Sequence, residues 1–273
     1  GPLSVESLHK ALADVVRRHD ALRIEIDLIG ESQRILPEMT VALPLTDLST
    51  LDETEREAAI ARIVDRETRT PFDLAAAPLW RAELIRETPQ DHRFIFTTHH
   101  VIVDGWSSTV IFTDLAAVYA ADRLGLAADL APPASFRDFV ADQQSADVRT
   151  ETEDALEFWA AQYADGVPAF ELPTDHARPV FKTYTAGRQV LTIDKALYEA
   201  FRDRAAREGA TLFVGLLAAF EVLVARLASA EDLVIGVPMA SQALQDNEAG
   251  IASEALENIV LAINVSTAMV SIL

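Results

Sequence analysis

The sequence predicts an α/β protein with mixed sheets flanked by helices, and three observations carry that reading. Helix-period and strand-period hydrophobic patterns interleave along the chain instead of falling into separate blocks, which places both element types around shared cores. Of the 273 residues, 50% are hydrophobic and 24% charged, a globular balance with enough length for two modest lobes. Between Asp165 and Gly187 the texture changes, as Gly166, Pro168, Pro173, Pro179 and Gly187 crowd together, the composition of a linker. The expected organisation is therefore an N-terminal lobe over 1–165, a linker over 166–187 and part of a C-terminal lobe over 188–273.

Each element has a local reason. Ser4 can cap a helix that carries Val5, Leu8, Leu12, Val15 and Val16 on one face. That pattern runs out at Arg17-Arg18-His19-Asp20, before strand-like residues from Leu22 to Leu28. Thr50 and Glu53 form a capping-box pair for a charged helix that Pro71 closes. Leu79 to Arg86 and Arg93 to Thr98 read as strands joined through the polar turn Thr88-Pro89-Gln90-Asp91. Ile111, Leu115, Val118 and Tyr119 then repeat at helical spacing until Gly125, and further helices are expected around Phe136–Gln144 and Leu156–Tyr163. Beyond the linker the order restarts as strand (Gln189–Ile193), helix (Asp194–Arg207), helix (Thr211–Leu227) and strand (Leu233–Val237).

Composition narrows the function. Forty-three acidic against 23 basic residues give a net charge of −20, which opposes nucleic-acid binding, since phosphate backbones select clustered Lys and Arg. The absence of cysteine excludes thiol nucleophiles, disulfides and Cys-based zinc sites, and fits a reducing compartment. The apolar stretch Leu212–Leu227 is interrupted by Glu221 and Arg226 and falls short of the roughly 20 residues of a membrane span. Gly1-Pro2-Leu3-Ser4 leads into a helix pattern and not a signal peptide. A cytoplasmic protein without membrane or nucleic-acid partners is expected.

The chemistry-bearing residues concentrate in His99-His100-Val101-Ile102-Val103-Asp104-Gly105-Trp106-Ser107, where a strand pattern gives way to a helix pattern. Histidine can accept or hold a proton near neutral pH. Asp104 could orient a ring or a loop, and Gly105 permits a backbone geometry or a close approach that a side chain would block. Adjacent histidines on extended chain point to opposite sides, so both cannot grip one ion, and no metal is expected. Nucleophilic serine chemistry lacks its G-x-S-x-G setting, and Ser107 and Ser108 suit helix capping. No G-x-G-x-x-G or G-x-x-x-x-G-K-[ST] supports dinucleotide or P-loop chemistry.

Together these segments resemble the condensation domain of nonribosomal peptide synthetases. The run from His99 to Ser107 is similar to that family's HHxxxDGWS signature, and Arg18-His19-Asp20-Ala21-Leu22-Arg23 to its RHExLR motif, with Asp20 in place of Glu. Pro71-Phe72-Asp73-Leu74 with Pro78-Leu79-Trp80-Arg81 matches PFDL…PLxR. Phe136-Arg137-Asp138-Phe139, Phe158-Trp159 and Leu172-Pro173-Thr174-Asp175 with Arg178-Pro179 resemble later markers, and Asn258 is a candidate for a late Val-Asn motif.

The resemblance implies a two-lobed chloramphenicol-acetyltransferase-like fold whose second lobe is incomplete here. It implies amide formation between an upstream acyl or peptidyl thioester and the amine of a downstream aminoacyl thioester. No bound cofactor is expected, because substrates arrive on phosphopantetheine arms of upstream and downstream carrier proteins. His100 is the implied catalytic residue, with His99, Gly105, Arg18 and Trp159 in support. Asp104 is implied to pair with Arg23, a buried pair whose one-sided loss would cost about 3–5 kcal/mol. An epimerization domain, an ester-forming acyltransferase and a non-catalytic recruitment platform share the fold and stay open as alternatives.

Overall fold

A computed structural model describes residues 3–181 and 190–237, without the side chains of 146–148 and 151. The chain divides into two compact units, Gly1–Glu153 and Asp154–Leu273. Asn258 and Gln189 lie outside the described residues.

The first unit is built around a strand buried on both faces. Helix α1 (Val5–Arg18) starts at Ser4, whose side chain accepts from the Ser7 N–H, and it buries Leu8, Ala11, Leu12, Val15 and Val16 as its spacing predicts. A 3₁₀ turn (Asp20–Arg23) follows, and then the antiparallel pair β1 (Ile24–Ile26) and β2 (Gln33–Ile35). Strand β3 (Leu45–Asp47) runs parallel to β4 (Trp80–Arg86), which pairs antiparallel with β5 (His92–Thr98). The sheet β3-β4-β5 is thus mixed. Between β3 and β4 lies α2 (Glu53–Arg69), and after β5 comes α3 (Gly105–Arg123).

The alternation of β4 sorts the layers. Trp80, Ala82 and Leu84 join the α1 and α3 side chains in one core, with Leu22 and Val103. Ile85 turns the other way and meets Leu48, Ala59, Ile60 and Ile63, so α2 covers the opposite face. Leu84 at 1% and Ile85 at 0% exposure are neighbours in sequence yet belong to different cores. Helix α3 ends on Gly125 at φ +69°, with the Gly125 N–H on the Asp122 carbonyl and the Leu126 N–H on the Ala121 carbonyl. That is the left-handed stop for which glycine has no steric penalty.

Three expectations need correction. The charged helix is capped by Asp52, whose carboxylate accepts from the Glu55 N–H at 2.8 Å, and not by Thr50. The helix starts at Glu53, so Glu53 cannot occupy the third helical position that a Thr50 box requires. The strand expected from Leu22 to Leu28 shrinks to Ile24–Ile26, because Asp20–Arg23 winds into the 3₁₀ turn. In the second unit no strand forms at 190–193 or 233–237 among the described residues. Leu233 and Ile235 are nevertheless buried beside Val224, so their alternation reports burial, while a ladder would need a partner strand.

The remaining helices are α4 (Phe136–Gln143), α5 (Ala146–Gln162), α6 (Lys195–Arg207) and α7 (Leu212–Ala228). Gly215 lets α7 approach α6 closely, since a Cβ there would sit 3.1 Å from the Phe201 ring and 3.2 Å from the Ala205 methyl. No single helix among the described residues is long and apolar enough to cross a membrane; α6 and α7 pass such a test only jointly and are bent by 102°.

One buried polar contact ties the chain before β1 to the central strand: the Trp80 indole N–H donates to the Leu22 carbonyl at 2.9 Å. Trp80→Phe keeps most of the apolar volume but leaves that carbonyl without its donor. We expect a loss of about 1–3 kcal/mol, read as a lower urea midpoint at unchanged slope.

Candidate active site

The signature begins where β5 ends. The Trp80–Thr98 pairing is extended by one bond, from the His99 N–H to the Leu79 carbonyl at 2.9 Å. The chain then turns, with the Ile102 N–H on the His99 carbonyl at 3.1 Å. Val103 inserts into the α1–α3 core and anchors the loop, whereas Val101 and Trp106 stay exposed. Burial of Val103, with Ile102 packed against the same core, explains the apolar residues just before the acid.

His99 and His100 occupy different surroundings, as neighbours on extended chain do. The His99 ring is half-buried, and its Nδ1 accepts from the Val101 N–H at 3.1 Å. That nitrogen therefore carries no proton, and the ring proton sits on Nε2. The Phe72 ring meets the imidazole in a T-shaped contact with centroids 6.2 Å apart. His100 is exposed, and among the described residues no hydrogen bond engages its ring. The sequence places two histidines side by side, and the structure gives one a backbone partner and leaves the other exposed, without a hydrogen bond among the described residues.

Asp104 is the N-cap of α3. Its Oδ1 accepts from the Ser107 N–H at 2.7 Å and the Ser107 hydroxyl at 2.6 Å, and its carbonyl receives the Ser108 N–H at 3.1 Å and the Ser108 hydroxyl at 2.9 Å. The Ser107 hydroxyl and N–H hold the carboxyl below the ordinary aspartate range, burial opposes them, and His100 adds a smaller favourable contribution.

Arg23 does not pair with Asp104. Its guanidinium donates to the carbonyls of Val16, Arg17, Leu36 and Pro37 and to Asp20 Oδ1 at 2.8 Å. Val16 and Arg17 lie in the last turn of α1, so the cation sits at the negative end of that helix. Local acceptors occupy the donors of Arg23, and Ser107 engages Oδ1 of Asp104. At Gly105 the backbone-geometry reason for a glycine does not hold. Its φ lies outside the left-handed region, and a Cβ there would meet nothing within 4 Å, so no protein atom among the described residues requires a glycine.

Arg18 reaches the middle of α3. Its Nε donates to Asp114 Oδ2 at 2.8 Å, where the His19 Nε2 also lies at 2.8 Å, and its Nη2 reaches the Ala131 carbonyl. These contacts fasten the end of α1 to the middle of α3, the helix that Asp104 starts. Asp114 escaped the sequence reading, although an acid between Ile111 and Leu115 on a buried stripe marks a polar group that needs partners. Trp159 belongs to the second unit, stacked on Tyr163 at 5.9 Å. No group of three or more His, Asp or Glu converges as a metal site among the described residues.

The site is thus an HHxxxDG loop at a helix start, at the end of a mixed sheet with helices on both faces, and comparison with known proteins says which class carries it. The condensation-domain family model matches residues 1–249, and the chain belongs to that family, with its chloramphenicol-acetyltransferase-like fold. Chondramide synthase cmdD of Chondromyces crocatus is 35% identical over 238 residues, 86% of this chain but 6% of that protein. Phosphinothricin tripeptide synthetase PhsB of Streptomyces viridochromogenes is 33% identical over 251 residues, 91% of this chain and 21% of that protein. The X-domain from teicoplanin biosynthesis, also solved as a complex with OxyB, superposes with a TM-score of 0.73 at 30% identity. That match covers 89% of this chain and 54% of the X-domain, so the chain spans about half the length of the solved relative.

The cap sets the expected cost of losing Asp104. Asp104→Ala should destabilise by about 1 kcal/mol, less than the one-sided loss of a buried ion pair. Because the folded-state pKa is lowered, this contribution is present above the unfolded value of 3.8 and is lost as pH falls through the lowered value. Melting temperatures of the variant and the wild type should therefore converge at acid pH.

Proposed function

We propose that the chain carries the HHxxxDG half of an amide-forming condensation site. The observation that carries this reading is the contrast between the two histidines: the His99 ring accepts from the Val101 N–H, and His100 projects from the same loop, exposed and with no hydrogen bond to its ring among the described residues. Such an imidazole can do proton work at neutral pH.

In the proposed reaction the α-amine of a carrier-bound aminoacyl thioester attacks the carbonyl carbon of an upstream acyl or peptidyl thioester. The C–N bond forms as the C–S bond breaks, and the amine proton passes to the departing thiolate. His100 takes that proton or stabilises the positive charge on nitrogen before it leaves. Tethering both substrates on phosphopantetheine arms makes the step effectively unimolecular. Asp104 holds the start of α3 and so the geometry of the loop, and His99 supports from beside it. Arg18 steadies α3 through Asp114, while Arg23 acts on the end of α1. Trp159 is proposed as a supporting residue of the second unit. The open space at Gly105 supports close substrate approach to the backbone there.

The partners in this reading are upstream and downstream carrier proteins, and no resident cofactor or metal is needed. The large synthetases to which the chain is similar support that setting, and a cytoplasmic location is part of the proposal. The X-domain solved with OxyB favours a second reading, a recruitment platform of the same fold.

The test uses the full-length protein with two loaded carrier proteins. Amide product that disappears in His100→Ala supports condensation. Stereochemical scrambling without amide indicates an epimerization domain, and neither activity leaves the platform reading. Gly105→Ala gives an independent check: the melting temperature should stay level or rise, because alanine favours helix over glycine, while turnover falls. A Gly105→Ala protein with full turnover overturns the close-approach role.

A further inference from the structure

We propose that Arg81 and Phe72 are positioning residues that act on the signature loop through His99, an inference that rests on the condensation reading given above. Four residues from four segments stand in contact: Glu67 near the end of α2, Phe72 in the loop after it, Arg81 on β4 and His99 after β5. The Arg81 Nε donates to Glu67 Oε2 at 2.7 Å, and its Nη2 donates to the Glu67 and Thr70 carbonyls at 2.9 Å each. Its Cζ lies 4.0 Å from the centroid of the Phe72 ring, within cation–π range. Phe72 in turn meets the His99 imidazole at 90°.

The column is anchored where it is buried. The Glu67 side chain retains 10% exposure and also contacts Arg66. Arg66 reaches Glu83, a buried carboxylate that accepts from the Thr46 hydroxyl at 2.6 Å. Burial raises the Glu67 carboxyl, but hydrogen bonds from Arg81 and Arg66 prevail and hold it below the ordinary glutamate range. Arg81 is consequently fixed by a carboxylate and by the carbonyls at the end of α2, and offers one face to Phe72. A planar guanidinium held by several acceptors keeps that face oriented in a way a lysine ammonium would not.

The effect on His99 follows from geometry. The bond from the Val101 N–H to His99 Nδ1 requires the ring to stand in one orientation. Phe72 supplies the wall against which it stands. Removing the wall frees the ring to rotate, releases the Val101 N–H, and loosens the three residues between His99 and the loop anchor Val103. His100 is the neighbour on the same turn.

Two measurements test the column, one of which needs no activity. Nitrogen-15 shifts of His99 in the full-length protein should show an unprotonated Nδ1 and a protonated Nε2 in the wild type. Phe72→Leu should give averaged tautomers, Phe72→Tyr should keep the wild-type pattern, and Arg81→Lys should fall between them. In the carrier-protein assay Phe72→Leu should lower kcat by roughly tenfold to a hundredfold, with KM for the loaded carriers unchanged, and Phe72→Tyr should restore it.

Should Phe72→Leu fail to fold, Arg81→Lys supplies the same comparison. Wild-type nitrogen shifts and kcat in folded Phe72→Leu or Arg81→Lys overturn the proposal. So does a lowered melting temperature with full kcat per folded molecule, since that is a merely structural role. A wild-type protein that makes no amide but shows the His99 pattern, lost in Phe72→Leu, upholds the column and sinks the condensation reading instead.

Discussion

Strand β4 must bury both of its faces, and most of the first unit follows from that constraint. An apolar residue on either side of a two-faced strand calls for a covering layer, so Leu84 recruits α1 and α3 while Ile85 recruits α2. The polar residues of the same strand then cannot be left to water. Glu83 is paired with Arg66 and Thr46, and Arg81 with Glu67, because an uncompensated charge at such positions costs several kcal/mol. The position of β5, and of the turn that continues it, is inherited from the register with β4.

Arginines at helix ends recur in this arrangement. Arg23 gathers the last carbonyls of α1, and Arg81 gathers those of α2. In each case the guanidinium satisfies carbonyls that the helix leaves unpaired and places a cation where the helix dipole favours one. The acids that accompany them, Asp20 and Glu67, are close in sequence to the helix ends. A charged residue near a signature motif thus serves the backbone nearest to it before it serves the motif. For Asp104 the nearest backbone is the start of α3, which is why its partners are Ser107 and Ser108.

The long periodic segments were legible from sequence. α1, α2, α3, α6 and α7 each carry several turns of pattern, and β4 and β5 are seven residues each. β2 and β3 were not legible, because three residues of which none is buried leave no alternation to read. At 233–237 the expected strand forms no ladder among the described residues, although Leu233 and Ile235 are buried. Within the site, the signature residues could be named one by one, whereas their partners could not. Asp104 has its partner three residues on, Arg23 has five local acceptors, and Phe72 finds His99 only through the closure of the β4–β5 pair. Motif spacing records which residues are kept, and contact geometry decides what each of them holds.

The column from Glu67 to His99 bears on how such proteins can be recombined. It draws on four segments of the chain between residues 67 and 99, and its side chains pack one on the next. A chimera joined anywhere between residues 67 and 99 would mix two parents inside a single packing unit, and shape mismatches of a fraction of an ångström would be passed to the signature loop. A junction in the segment after Gly125, past the glycine that ends α3, would leave the column with one parent. The boundaries of an interchangeable piece are set here by side-chain continuity, and secondary-structure limits alone would place them in the wrong loop.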